Sequence, residues 1–103
     1  MAIGHIFEHP TGAPEDYQRV MEHVRSTGPV PPEGARLVLS GQAEQGWRVI
    51  TVWDSRADID RFFAERLRPA YEAAGLSLDD GRRTFFEVSG LVAGDLTGPP
   101  QPA

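Results

Sequence analysis

Apolar and polar positions alternate with a two-residue period in four places along the chain, and two stretches between them repeat at helical spacing. Residues 3 to 9, IGHIFEH, alternate loosely and stop at Pro10, with a turn at Thr11-Gly12, so they read as a strand. In APEDYQRVMEHVRST, Tyr17, Val20, Met21 and Val24 fall at i, i+3, i+4 and i+7, which predicts a helix with one apolar stripe. Pro14 suits its first turn, Glu15 and Asp16 suit the positive end of its dipole, and Gly28 ends it. Strands over 36 to 43 and 47 to 54, turning near EQG, make a hairpin. Ser55 is an N-cap with Asp58 three residues on. From there Ile59, Phe62, Phe63, Leu67, Ala70, Tyr71 and Ala74 form a second helical stripe. Pro69 cannot donate to the carbonyl of Glu65, so this helix is expected to kink or split after about Leu67. Gly75 closes it, and TFFEVSGLV, 84 to 92, reads as the last strand.

The order β-α-β-β-α-β predicts an α+β fold of the ferredoxin-like kind, one antiparallel sheet with two helices on one face. The third strand is apolar on both sides: Val49, Thr51 and Trp53 point one way, Ile50 and Val52 the other. A half-solvated sheet alternates more cleanly. A second copy, sheet against sheet, is the simplest cover for the open face.

The chain of 103 residues suits one domain, placed at 1 to 93, with the tail 94 to 103 too poor in apolar residues to pack and expected to be disordered. Ten Lys and Arg against 15 Asp and Glu give a net charge of −5, with no basic cluster to track phosphates, so neither nucleic acid nor an anionic membrane is expected as partner. The lack of cysteine excludes disulfides, thiolate metal sites and a thiol nucleophile. No leader or membrane-spanning run is apparent, and the expected location is the cytoplasm. The glycines form neither GxxxxGK nor GxGxxG, which disfavours nucleotide cofactors.

The stretch VWDSRADIDRFF is similar to the W-x-S-x-x-x-hydrophobic signature of the antibiotic biosynthesis monooxygenase superfamily, and GWRVITVWDSRADIDRFFAERLRPAYEAAG resembles its small actinobacterial members. The resemblance spans roughly residues 1 to 93 and is specific over 46 to 75. It implies a homodimeric α+β barrel with a pocket in each subunit between sheet and helices. It also implies a small enzyme of secondary metabolism, a cofactor-independent monooxygenase or cyclase acting on an aromatic, polyketide-like metabolite. The alternative is a non-catalytic ligand-binding or accessory dimer. Many members carry a histidine nine residues after the motif tryptophan, where this chain has Phe62. Haem-degrading members carry a tryptophan there and a histidine ten residues further on, where this chain has Glu72. Haem is therefore not expected, and no cofactor or metal is assigned.

The candidate site residues follow from the predicted core. Trp47 and Trp53 either pack the sheet or stack on a planar ligand, and Phe62 and Phe63 share that choice. His5, interior to its strand, is a candidate buried base, with Tyr71 as second catalytic candidate. Tyr17, Ser40, Trp53, Phe62 and Phe63 are the candidate ligand-binding set. His5 and His9 lie about 13 Å apart along a strand, too far to share one metal ion. His9 reads as a solvated strand end and His23 as surface. Arg66 and Arg68 are expected on the solvated face, paired with Glu65 and Glu72, or reaching an anionic ligand.

Overall fold

The computed structural model describes residues 2–10, 12–92 and 94; the tail expected to be disordered lies almost wholly outside them. Strands β1 (Ile3–His9), β2 (Ala35–Gln42), β3 (Trp47–Trp53) and β4 (Arg82–Glu87) form one antiparallel sheet in the order β2-β3-β1-β4. Helix α1 (Pro14–Thr27) links β1 to β2, and α2 (Arg56–Phe62) begins the link from β3 to β4. The expected ferredoxin-like order is what the chain adopts.

Local chemistry accounts for most boundaries. Asp16 Oδ2 accepts from the Ala13 backbone N–H at 3.3 Å, half of a capping box whose other half Ala13 has no side chain to supply. Ser55 Oγ accepts from the Asp58 N–H at 3.2 Å and donates to Asp58 Oδ2 at 2.9 Å. The hairpin closes through an Ala43 N–H to Gly46 carbonyl bond of 2.9 Å. Gly46 sits at φ +78°, and a Cβ there would lie 1.8 Å from the His9 carbonyl oxygen.

The last strand departs furthest from expectation. It begins at Arg82 and ends at Glu87, not 84 to 92. Its sheet neighbour is β1, whose first residue Ile3 pairs with Glu87, so the ladder runs out there, with one last bond from Val88 N–H to the Ala2 carbonyl. The second helical segment is split after Leu67, where Pro69 was expected to kink or split it. Residues Phe63–Leu67 form a π-helical turn, in which Arg68 N–H reaches back to the Phe63 carbonyl, and α3 (Arg68–Ala73) resumes with Pro69 in its first turn. There the missing N–H costs least.

The core lies between the helices and one sheet face. Phe7, Val20, Val24, Trp53, Ile59, Phe63, Leu67, Ala70, Tyr71 and Leu78 form its buried cluster. The other sheet face carries Ile6, Leu37, Leu39, Ile50, Val52 and Phe86 on paired positions of four strands. Leu39 is 48% and Phe86 45% exposed. Phe86 lies over Gly4, where an added Cβ would meet its ring at 2.2 Å.

Candidate functional site

Alternation along β1 and β3 sends His5, Phe7, Val49, Thr51 and Trp53 toward the helices. The stripe of the second helical segment meets them from above. Between the layers lies a cavity of about 60 Å³, lined by His5, Thr51 and Trp53 from the sheet, Tyr17, Met21 and Val24 from α1, and Phe62, Phe63, Leu67 and Tyr71 from the opposite wall. Val30 and Pro32, in the connector after α1, also border it, and Val30 is 42% exposed there. Six of the seven candidate residues therefore meet at one place: His5, Tyr17, Trp53, Phe62, Phe63 and Tyr71. Ser40 does not. It pairs with Val49 near the open end of the edge strand β2, is exposed, and borders only a shallow surface depression. The reason is reach, since the helices do not extend over that end of β2.

Trp53 is 1% exposed, and its Nε1–H donates to Thr51 Oγ1 at 2.7 Å; Thr51 Oγ1 in turn lies 3.4 Å from the His5 carbonyl. Its ring tilts against Phe62 at 5.5 Å between centroids. Trp53 is thus a fixed core residue presenting an edge to the cavity. Trp47 covers the strand end, tilted against Tyr17 at 4.8 Å.

His5 is 2% exposed, stacked on Phe85 at 4.6 Å and edge-on to Phe63 at 5.2 Å. The Nε–H of Arg83 donates to its Nε2 at 3.1 Å. A guanidinium cannot accept, so His5 Nε2 must be the acceptor and Nδ1 carries the proton. Burial, then the charges of Arg83 and Arg56, with Asp60 opposing, lower its pKa from 6.5 to about 4. His5 is therefore a neutral hydrogen-bond donor at neutral pH, not the base near neutrality that its place in the sequence suggested. Burial raises the pKa of the Tyr71 hydroxyl, with Tyr17 adding to the shift, so Tyr71 is also a donor.

Arg83 escaped the sequence reading because it sits in the polar run SLDDGRR, just before the strand expected from 84. Pairing with Phe7 turns it onto the helix face, where its guanidinium lies 3.9 Å from the Phe63 ring centroid. The alternation Arg83, Phe85, Glu87 against Arg82, Thr84, Phe86 was the available signal. Of the two arginines that flank Leu67, Arg68 lies on the solvated face as expected, while Arg66 is only partly exposed. Arg66 donates to the carbonyls of Val24 and Pro29, tying α1 and its connector to the π-helical turn, and Arg68 pairs with Asp79 at 3.2 Å. His9 is not a solvated strand end: it stacks on Tyr71 at 5.2 Å and lies tilted against Phe7 at 4.9 Å. Among the described residues, no group of three His, Asp or Glu side chains is arranged to hold a metal ion, and no helix is long and apolar enough to cross a membrane.

No family model matches the chain, and no curated protein matches it in sequence. Solved structures do match. A mutant of SnoaB, a cofactor-independent oxygenase from Streptomyces nogalater, superposes over 90% of this chain and 97% of its own at a TM-score of 0.60 and 15% identity. A Deinococcus radiodurans protein provisionally assigned as an antibiotic biosynthesis monooxygenase covers 92% of this chain and 99% of its own, at 0.57 and 20%. A dimeric ferredoxin-like protein of unknown function from Jannaschia sp. CCS1 covers 85% of this chain and 100% of its own, at 0.57 and 13%. The chain has the fold of the antibiotic biosynthesis monooxygenase-like proteins. In that fold the space between sheet and helices is the concave region where His5, Tyr17 and Tyr71 come together here.

Proposed function

We propose that the chain is a cofactor-independent monooxygenase of secondary metabolism acting on a phenolic aromatic compound in the cavity between sheet and helices, with cyclisation of a polyketide-like substrate as the related possibility. One observation carries the reading: His5, buried, neutral and held in a single tautomer by Arg83, lines an otherwise apolar cavity. The fold shared with a cofactor-independent oxygenase supports it. The lining offers donors rather than a base. It therefore suits a substrate whose own acidity provides the anion, a phenol with an activated CH₂ group. His5 Nδ1–H and the Tyr71 hydroxyl stabilise the phenolate oxygen, and the Arg83 charge lies behind the imidazole. The CH₂ proton leaves to solvent as the substrate ionises, the carbanion form passes an electron to dioxygen, the radical pair combines as a peroxide anion that takes a proton back to become the hydroperoxide, and loss of water leaves a carbonyl. The protein excludes water and holds the ring.

A second copy of the chain is proposed to cover the open sheet face, making the homodimer expected from the sequence. The apolar residues on that face support this, as does the dimeric neighbour of the same fold. A non-catalytic ligand-binding dimer is the second reading. What favours it is the lining, which is almost wholly apolar; at about 60 Å³ the cavity is below the ~150 Å³ that holds a benzene ring, so either reading requires it to widen. Val30, 42% exposed, and Met21 border the cavity.

Oxygen uptake with dithranol, a tricyclic hydroxyanthrone, separates the two. The expected result is stoichiometric uptake with quinone formation, slowed roughly a hundredfold in Arg83→Met. Saturable binding without protein-dependent uptake would establish the binding reading instead.

A further inference from the structure

A second cavity, of about 70 Å³, lies at the other end of Tyr71. Tyr17, Val20 and Tyr71 line both cavities, so side chains rather than backbone separate them. Its walls differ in kind from those of the first. His9 and Trp47, register partners on β1 and β3, line it, as do the carboxylate residues Asp16 and Asp80. His9 Nε2 and Trp47 Nε1 are both buried, and neither has a hydrogen-bond partner among the described residues. Orphaned buried polar atoms cost about 1–3 kcal/mol each, and two of them on residues that line one polar void point to an occupant that reaches them when the walls shift.

The donor set restricts that occupant. Trp47 Nε1–H only donates, so the group facing it must accept, which argues against a cation. Asp16 and Asp80 on the same wall argue against an anion. Asp16 is moreover engaged by Arg19 at 2.6 Å and by the Ala13 N–H. An uncharged hydroxyl oxygen fits. It accepts from Trp47 and, whichever nitrogen of His9 carries the proton, either donates to Nε2 or accepts from it. Neither cavity alone reaches the ~150 Å³ that holds one benzene ring, whereas the two joined approach it.

We infer that the two cavities are halves of one ligand site, joined when the Tyr71 and Tyr17 side chains shift, and that its aromatic ligand, with the ring in the apolar half, carries a neutral hydroxyl, distinct from the one that ionises at His5, between Trp47 Nε1–H and His9 Nε2. The inference rests on the proposed use of the apolar cavity as a ligand site. It adds the orientation of the ligand and the size of its first ring.

The chain has two tryptophans, and their indole N–H signals report the two halves separately in a nitrogen–proton correlation spectrum. Trp47→Phe assigns them by removing one. p-Cresol and p-xylene, alike in shape and differing by one hydroxyl, are the probes. p-Cresol is expected to move the Trp47 indole signal downfield, while that of Trp53, already bonded to Thr51, moves less. p-Xylene is expected to shift the Val20, Val24 and Leu67 methyl signals and leave the Trp47 signal in place. Trp47→Phe should weaken p-cresol roughly twofold to tenfold, the span of one hydrogen bond, and change p-xylene less than twofold. If both probes shift the methyls but p-cresol leaves the Trp47 signal unmoved, or p-xylene moves it equally, the hydroxyl subsite is wrong while the apolar site stands; a void filled by water alone gives this result. If neither probe shifts any cavity signal, the ligand-site reading falls and this inference with it.

Discussion

Acidification destabilises this fold through His5. Unfolded, the imidazole takes up its proton near the ordinary 6.5; folded, it resists until about 4. Between those values the unfolded chain binds more protons, so the free energy of unfolding falls as pH falls. Stability from this group is complete above about 6.5 and gone below about 4. At about 1.4 kcal/mol per unit, the shift corresponds to about 3 kcal/mol, a large part of the ~5–15 kcal/mol that holds a small domain together. Burial is the main cause, Arg83 and Arg56 reinforce it, and Asp60 opposes it. Urea unfolding of wild type and His5→Gln at about pH 7 and about pH 4 isolates the term, because carboxylates and His9 titrate in both proteins. The glutamine oxygen can accept from Arg83 and does not titrate. The variant should be less stable at neutral pH, yet lose about 2–3 kcal/mol less on acidification. Equal losses in the two proteins would refute the assignment of a buried, neutral His5.

Three further outcomes are expected. Thr51→Val leaves the Trp53 indole N–H buried without an acceptor and should cost about 1–3 kcal/mol, read as a lower urea midpoint with an unchanged slope. Gly46→Ala forces a Cβ against the His9 carbonyl at a positive φ; a loss of at least about 2 kcal/mol in the same assay is expected, and a smaller one would mean that the turn relaxes. Native mass spectrometry should give twice the chain mass for wild type and the single-chain mass for Ile50→Glu, which places a charge on the open sheet face.

The fold was legible because each element carries its own local signal. Ser55 and Asp58 cap one helix as their spacing implied, and the stripe from Ile59 to Tyr71 faces the core. The site was legible only where it coincides with the core, which is why Trp53, Phe62, Phe63, Tyr71, Tyr17 and His5 gather and Ser40 does not. What the pattern hid depends on partners distant in sequence. Tyr71 stacks on His9 across 62 positions, and burial lowers the His9 pKa although its neighbours Glu8 and Pro10 suggest a solvated end. Arg83 meets His5 through a bond spanning 78 positions, and only the alternation that runs on through Phe85 and Glu87 marks it as a strand residue rather than part of the turn.

The π-helical turn governs the aim of everything that follows it. Ile59, Phe63, Leu67 and Tyr71 recur at every fourth residue, and in an α-helix each such step overshoots a full turn by about 40°. Three steps would carry the last side chain about 120° around, away from the sheet. The wider turn at Phe63–Leu67 absorbs the excess residue and brings Tyr71 back into phase, against Phe7 and His9. The segment therefore has a counting role that side-chain chemistry alone does not reveal. Removing one residue, such as Ala64, would restore ordinary helical winding and leave Tyr71 within about 20° of the Ile59 direction, so the wall between the two cavities would keep its place without the wider turn.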